Sequence, residues 1–536
     1  MLRLNLYPEN MDGGFFMIMI EANHLKKTIG ERLLFSIDQL RIAKGDRIGL
    51  IGRNGSGKTT LLNILMGTES FDEGEIHNRA KISLIPQIQR NMSNQSGGER
   101  TNAAIQAAFA KSPDILFADE PTSNLDIESV RQLEQKLLRF KGAMIIISHD
   151  RAFLDTICNK IWEVENQTVT VFAGNYHMYT TWKEQQRKRE ALEYEQYQKK
   201  KKQLEHAILL KKQKAEKMIK PPSKRMGTSE SRLWKMQKGT KQKGVHQSIE
   251  ALETRISKLE KIEKPKNLPV VKMNVASEST LPNKTVIQAK DITASVDGKV
   301  LWEKASFSIQ TGSKTAIIGA NGSGKTTLIK RLQSKSDDIY VSTGVKFGYF
   351  SQHIDILDES KAILENVQAT AVHSPEMIRT VLARLLFRGH DVFKDVGVLS
   401  GGEKVKVAFA KIFLSDINVL VMDEPTNFLD MESIQSLEHL LTHYEGTVIF
   451  VSHDRQFIQN VATDILEIKE QTIHAYAGSY QELQRKQQIP VKREEERLLI
   501  ETKITEVLSL LSVAPTTELE QQFTALIKQR NELKQQ

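Results

Sequence analysis

Apolar positions along this chain fall into two regimes. In the first, short apolar runs containing β-branched residues precede loops: "IGLIG" before Arg53, "ILFA" before Asp119, "AMIII" before Ser148. They return later as "TAIIG", "VLVM" and "VIFV". Runs that short, apolar at nearly every position, predict strands covered on both faces, as in a parallel sheet. Amphipathic helical stretches lie between them, so strand, loop and helix alternate and the fold class is α/β. In the second regime, over residues 183–264, Tyr194, Tyr197, Leu204, Ile208 and Ala215 are spaced 3, 7, 4 and 7 apart. Val245, Ile249, Leu252, Ile256 and Leu259 are spaced 4, 3, 4 and 3 apart. These heptad-like seams in charged surroundings predict two long helices forming an antiparallel α-helical coiled-coil hairpin. Pro221 and Pro222 stop the first helix, because proline lacks the N–H and clashes one turn back.

The strand regime occurs twice, in the same order. "GLIGRNGSGKTTLLNIL" (49–65) returns as "AIIGANGSGKTTLIKRL" (316–332), "ILFADEPTSNLD" (115–126) as "VLVMDEPTNFLD" (419–430), and "IIISHDRAFLD" (145–155) as "IFVSHDRQFIQ" (449–459). The chain therefore divides into a first copy over 1–182 (with 1–16 an extension ahead of the first strand), a hairpin over 183–264 with its tip near 219–244, a Pro/Asn/Ser-rich linker over 265–284, a second copy over 285–484 and a C-terminal helical extension over 485–536. The extension reads as two amphipathic stretches broken at Ala514-Pro515.

Charge sharpens this division. The net charge is +9, but residues 183–264 hold 24 Lys+Arg against 11 Asp+Glu, or +13, so the remainder carries −4. Lys211 to Lys243 alone hold 12 basic and 2 acidic residues. Such local density suits a polyanion, with phosphates contacted irrespective of sequence. Lys224, Arg225, Arg232, Lys235 and Lys238 are the candidate RNA contacts. Met226, Leu233 and Trp234 are apolar groups set among them; Trp234 either stacks on a splayed base or seals the end of the hairpin. The single cysteine, Cys158, forms no internal disulfide and there is no CxxC pair, which excludes a zinc ribbon. The longest apolar runs are too short to span a bilayer.

The repeated motifs carry phosphate chemistry. "GRNGSGKT" and "GANGSGKT" fit the pattern GxxxxGK[ST], whose glycines turn consecutive N–H groups onto phosphates. Gly52, Asn54, Gly55, Ser56, Gly57, Lys58, Thr59 and Thr60 form the first loop; Gly319, Asn321, Gly322, Ser323, Gly324, Lys325, Thr326 and Thr327 form the second. Lys58 and Lys325 reach the β/γ oxygens, and Thr59 and Thr326 offer hydroxyls to Mg²⁺. Asp119 and Asp423, at strand ends, complete the metal sites. Glu120 and Glu424 follow directly, placed to polarise an attacking water. His149 and His453, in "SHD", are candidate γ-phosphate contacts. Gln87 and Gln352 are candidate ligands of the metal or the water. Ser96, Gly97, Gly98 and Glu99, and again Ser400, Gly401, Gly402 and Glu403, each open a helix and offer an anion site.

A phosphate loop with a separate SGGE motif resembles the ATP-binding cassette ATPases, over about 17–182 and 285–484. The resemblance implies head-to-tail pairing of the two domains within a monomer. Gly52–Thr59 would face Ser400–Glu403, Gly319–Thr326 would face Ser96–Glu99, and two ATPs would be sandwiched. Two departures stand out. The residue before the SGGE serine is Gln95 in the first copy and Leu399 in the second. Aliphatic Ile29 and Val296 stand where the family has a base-stacking aromatic, which predicts weak discrimination between ATP and GTP. Gln87 and Ser96 are separated by 8 residues, against 47 between Gln352 and Ser400, so the first copy has no room for the helical subdomain with which transporter ATPases grip a membrane partner. Two fused cassettes on a basic arm resemble the ABC-F translation factors. The abbreviated first copy, the long linker and the tail resemble their Vga-type antibiotic-resistance branch. That resemblance implies a cytoplasmic ATPase that binds the exit site of the bacterial 70S ribosome, touching 23S rRNA, shifts P-site tRNA and dislodges lincosamides, streptogramin A and pleuromutilins. It implies neither a membrane nor a DNA partner. A housekeeping ABC-F factor and an exporter's ATPase subunit are the alternative readings.

Overall fold

A computed structural model describes residues 17–87, 97–219, 245–259, 284–296, 298–334, 337–350, 356–427, 429–513 and 517–535. Two compact units are defined by it: residues 1–176 with 271–536, and residues 177–270.

In the first unit the two copies repeat one architecture. The first begins with β1 (Ile18–Ile29) and β2 (Arg32–Ala43), which pair antiparallel, and continues through β3 (Arg47–Gly52), α1 (Lys58–Met66), β4 (Glu73–Asn78), β5 (Ile82–Ile85), α2 (Gly97–Ala110), β6 (Ile115–Asp119), α3 (Ile127–Arg139), β7 (Ala143–Ile147), α4 (Arg151–Ile157), β8 (Lys160–Glu165) and β9 (Thr168–Ala173). Its six-stranded sheet runs β5-β6-β7-β3-β8-β9, parallel except for the β8–β9 pair; β2-β1-β4 form a separate antiparallel sheet. Every residue of β6 and β7 is buried, as expected for strands covered on both faces. β6, β7 and β3 are neighbours, so Asp119, Ser148 and the loop after Gly52 emerge together at the carboxyl edge of the sheet. In open parallel sheets this edge is where ligands bind.

The second unit contains helix α5 (Tyr176–Ile219) from its second residue onward, and a helix over 245–257, α6. Ile208 and Ile249 are buried, Tyr194, Tyr197, Leu204, Leu252 and Ile256 are half-buried, and Lys212 reaches Glu253 at 3.3 Å. α5 runs unbroken across residue 182, so the helix begins several residues before the boundary drawn from charge. The cause is local: Tyr176 and Tyr179 are buried anchors, and the charged run starts only beyond them. The proposed tip, including Lys224, Arg225, Met226, Arg232, Leu233, Trp234, Lys235 and Lys238 together with Pro221 and Pro222, lies outside the described residues, as do residues 1–16 and nearly all of the 265–284 linker.

The second copy comprises β10 (Thr285–Val296), β11 (Lys299–Gln310), β12 (Lys314–Gly319), α7 (Lys325–Gln333), β13 (Ile339–Val341), β14 (Phe347–Phe350), α8 (Ile363–Gln368), α9 (Pro375–Arg384), α10 (Gly401–Phe413), β15 (Val419–Asp423), α11 (Met431–Thr442), β16 (Thr447–Val451), α12 (Arg455–Val461), β17 (Asp464–Lys469) and β18 (Thr472–Ala477). Its large sheet runs β14-β15-β16-β12-β17-β18, repeating the first. α8, α9 and two 3₁₀ turns fill the longer connection before α10, and their effect on packing is direct. α10 buries Val405, Val407, Phe409 and Phe413 among its neighbours, whereas α2, with no such cover, buries only Thr101, Ile105 and Ala108. α13 (Tyr480–Val513) runs across residue 485 without a break and packs against α14 (Thr517–Gln535).

Packing also fixes one glycine of each phosphate loop. Gly324 has φ +97°, and a Cβ there would lie 2.3 Å from the ring of Trp302, which is fully buried. Gly322 has φ +76° with open space around it. Gly322→Ala should therefore cost only the left-handed strain, about 1 kcal/mol. Gly324→Ala should add a further overpacking cost of about 1–3 kcal/mol, and equilibrium urea unfolding of the two variants measures the gap.

Candidate functional site

Each phosphate loop is built as an anion cradle. α1 and α7 begin at Lys58 and Lys325 with a left-handed glycine at the cap, no side-chain cap and no acid in the first turn. A lysine at the positive end of a helix is electrostatically unfavourable by itself and calls for an anion. Lys58 Nζ is held by the carbonyls of Gly52 (2.8 Å) and Arg53 (3.0 Å); Lys325 is held in the same way by Gly319 (2.9 Å) and Ala320 (3.0 Å). Burial lowers both ammonium pKa values, a cost that a bound phosphate would offset. The buried Ser56 and Ser323 hydroxyls have no protein partner. These features fit the phosphates of a nucleotide.

The metal candidates are also paired. Thr59 Oγ1 donates to Asp119 Oδ2 at 2.9 Å, and Thr326 Oγ1 to Asp423 Oδ2 at 3.0 Å. A hydroxyl and a carboxylate, both hard oxygen donors, suit Mg²⁺, which keeps water and phosphate for its remaining positions. No group of three or more His, Cys, Asp or Glu positioned to hold a metal occurs among the described residues. Burial raises the Asp119 pKa, a shift that an adjacent cation would reverse.

Glu120 and Glu424 share a strained backbone, with φ +50° and +52°, uncommon for a non-glycine residue. Their N–H groups donate to Ile147 and Val451, which locks the turn. Burial and Asp119 push the Glu120 carboxyl up to about 8. Its Oε2 accepts from the His149 N–H (3.3 Å), and the imidazole Nε2 lies 3.4 Å from Oε1; His453 and Glu424 show the same 3.4 Å approach. Burial, then Lys58, drive His149 down to about 4, so the ring is neutral and offers a single N–H to a ligand.

A cavity of about 1070 Å³ brings Lys58, Thr59, Thr60, Gln87, Asp119, Glu120 and His149 together with Gly401 and Gly402 of the other copy. The same cavity holds Gly97 and Gly98 beside Asn321 and Gly322. A second, of about 640 Å³, is lined by Lys325, Thr326, Thr327, Asp423, Glu424 and His453. Ser96, Gln95 and Gln352 lie outside the described residues. Glu403 does not line either cavity; it closes a capping box on Ser400, accepting from the serine N–H (2.9 Å) and hydroxyl (2.7 Å). A phosphate arriving there must displace Glu403 from that hydroxyl. Ile29 with Leu34, and Val296 with Leu301, supply the apolar walls of the two cavities.

Several residues that sequence reading passed over tie the copies together. Asp126 Oδ1 caps α3 through Ser129 N–H (2.9 Å), while its Oδ2 accepts from Asn321 N–H (2.9 Å) on the opposite phosphate loop. Asp430 does the same for α11, through Ser433 N–H (2.9 Å), and for Asn54 N–H (3.3 Å). Deeper in, Arg151 donates to both oxygens of Glu438 and Arg455 to both oxygens of Glu134; Asp454 and Asp150 lie within 3.9 Å and 3.8 Å of these guanidiniums. The signal was present in the repeats, since "LD" ends both Asp-Glu motifs and an arginine follows both "SHD" motifs. Nothing local says where such side chains point.

These features define a tandem ATP-binding cassette ATPase, and comparison with known proteins agrees. A family model described as ABC transporter matches residues 36–88 and 302–427. The chain is 30% identical to "Ribosome protection protein VmlR" of Bacillus subtilis, over 97% of this chain and 99% of that protein. It is 31% identical to "Erythromycin resistance ATP-binding protein MsrA" of Staphylococcus epidermidis, over 85% and 98%. Among solved structures, the archaeal ribosome recycling factor aABCE1, in complex with the stalk protein aP1, superimposes with a TM-score of 0.56 at 18% identity, covering 86% of this chain and 91% of that one; this shows likeness of fold. The chain belongs to the ABC-F family, and it binds and hydrolyses ATP. No helix among the described residues is long and apolar enough to cross a membrane.

Two measurements test the site. With aliphatic walls in place of an aromatic platform, GTP should compete for hydrolysis within about tenfold of ATP, since the missing stacking contributes about 1 kcal/mol; competition kinetics with the two nucleotides measures the ratio. The second concerns Asp150, whose carboxyl is pushed up to about 6 by burial and by Asp454, against the pull of Arg455. Its folded pKa lies above the unfolded value, so its contribution to stability is intact below pH 4 and is lost as pH rises through 6. Relative to Asp150→Asn, which retains the cap, the wild type should lose up to about 3 kcal/mol between pH 4 and pH 7.5, read as diverging urea midpoints.

Proposed function

We propose that this ATPase is a ribosome-protection factor of the Vga-type branch. Its ATP-closed form occupies the tRNA exit site of a bacterial 70S ribosome, against 23S rRNA and exit-site proteins. Its basic arm then shifts P-site tRNA and dislodges lincosamides, streptogramin A or pleuromutilins from the peptidyl-transferase centre. The observation that carries this reading is similarity along essentially the whole length to a relative named for ribosome protection, supported by a second named for erythromycin resistance. The +10 charge of residues 211–243 supports an RNA partner for the arm. The short first-copy connection argues against docking on a membrane subunit.

In this reading the two sites work alike. Lys58 and Lys325 hold the β/γ oxygens, while Gly97–Gly98 and Ser400–Gly402 cover the opposite face of each nucleotide. Thr59 with Asp119 and Gln87, and Thr326 with Asp423 and Gln352, would hold Mg²⁺, which when bound would supply positive charge against the phosphates. Glu120 and Glu424 orient a water for in-line attack on the γ-phosphorus and accept its proton as the bond to ADP breaks. His149 and His453 donate to the departing phosphate. The protein acts as a monomer in the cytoplasm, its two cassettes paired within one chain.

Replacing Glu120 and Glu424 together by Gln should leave ATP binding intact and abolish hydrolysis, so that the protein co-sediments with 70S particles in ATP and not in ADP. Absence of ATP-dependent co-sedimentation refutes the ribosomal reading. Co-sedimentation without any change in drug susceptibility of cells expressing the wild-type chain moves the assignment to a housekeeping translation factor.

A further inference from the structure

The reciprocal arginine–carboxylate contacts lie at the junction of the cassettes; Arg151, Glu438, Arg455 and Glu134 line neither cavity, while Asp150 and Asp454 beside them reach the edge of the larger one. Arg151, Glu438 and Asp454 have side chains 8%, 9% and 8% exposed; Arg455, Glu134 and Asp150 have 15%, 10% and 10%. Burying such pairs adds little net stability over an apolar equivalent, because desolvation offsets most of the attraction. What a bidentate guanidinium–carboxylate pair provides is geometry: two parallel bonds fix both distance and orientation.

What is being aligned follows from the neighbours in sequence. Arg151 opens α4, two residues after His149, in a turn closed by Asp150, which accepts from Phe153 N–H at 3.0 Å. His149 N–H in turn donates to Glu120. On the other side, Glu438 lies on α11, the helix whose cap, Asp430, accepts from Asn54 N–H on the first phosphate loop. Glu438 is also steadied by Asn460, at 3.1 Å. One helix of the second cassette therefore meets the first site at two points, the loop and the histidine turn, separated by eight residues or about 12 Å of helix. α3 of the first cassette does the same for the second site, through Asp126 to Asn321 and Glu134 to Arg455.

We infer that Arg151 and Arg455 are positioning residues for hydrolysis: each registers the histidine turn of its own site against the opposite cassette's helix, so that the catalytic carboxylate and the phosphate loop come into line only when the cassettes are fully seated. The role is local to one site per arginine. It differs from general adhesion, which would affect both sites equally.

The experiment uses the full chain and isolates each site: the Glu424→Gln background reports the first, the Glu120→Gln background the second. Arg151→Gln should lower kcat of the first site by about ten- to a hundredfold, the range expected when reacting groups are displaced by up to about 1 Å. KM for ATP should stay within about twofold, and the second site should lose no more than about threefold. Arg455→Gln should show the mirror pattern, and Arg151→Lys should recover part of the rate. Because a lone buried Glu438 could unfold the protein, Arg151→Met with Glu438→Leu removes both charges; this pair should melt as the wild type does and still be slow at the first site only. Equal losses at both sites, an unchanged kcat in the apolar pair, or a lysine variant as slow as the glutamine one would each overturn the assignment.

Discussion

The constraint on which this molecule depends is that neither nucleotide site is complete within one cassette. The phosphate loop, the threonine–aspartate pair and the strained glutamate of each site come from one copy, while the SGGE helix and the capping aspartate that steadies the loop come from the other. Parallel sheets put their reactive ends along one edge, and two such edges set head to tail enclose a shared cavity. The sites are therefore a property of the contact between copies, and what alters that contact alters the chemistry.

Electrostatics along this contact is consistently arranged to favour a bound polyphosphate. Lysines sit at the positive ends of helices, a buried glutamate is held well above its usual pKa beside an aspartate, and its backbone is kept in a left-handed conformation. Each feature costs stability locally and each is relieved or used when a polyphosphate with a cation arrives. Depressing the histidine pKa has a separate use, because a neutral ring donates one hydrogen bond without adding a charge that would compete with Lys58.

How much of this was legible beforehand depends on how local the determinant is. Strands such as Ala143–Ile147 and Val419–Asp423 declare themselves by unbroken apolar character. The loops around Lys58 and Lys325 do so because glycine spacing is dictated by phosphate geometry. The shortened connection before Gly97 was visible as a simple difference of length. The start of the long helix at Tyr176 was misplaced, because charge marks where a helix becomes solvated and two buried tyrosines mark where it begins. The Arg151–Glu438 pair was invisible for a different reason: 287 positions separate the partners, and no periodicity encodes a contact that exists only after two domains have docked. The relatives supplied the level of description that geometry alone does not, the family.

Because the copies are homologous, Glu134 and Glu438 occupy equivalent places, as do Arg151 and Arg455, and Asp126 and Asp430. Each half thus carries both the key and the lock of its junction, so the surface is complementary to itself. An ancestor consisting of a single half could have formed the same paired sites by associating with its own twin. A difference between the halves outside that surface, such as the shorter connection before Gly97, is therefore compatible with the shared seam.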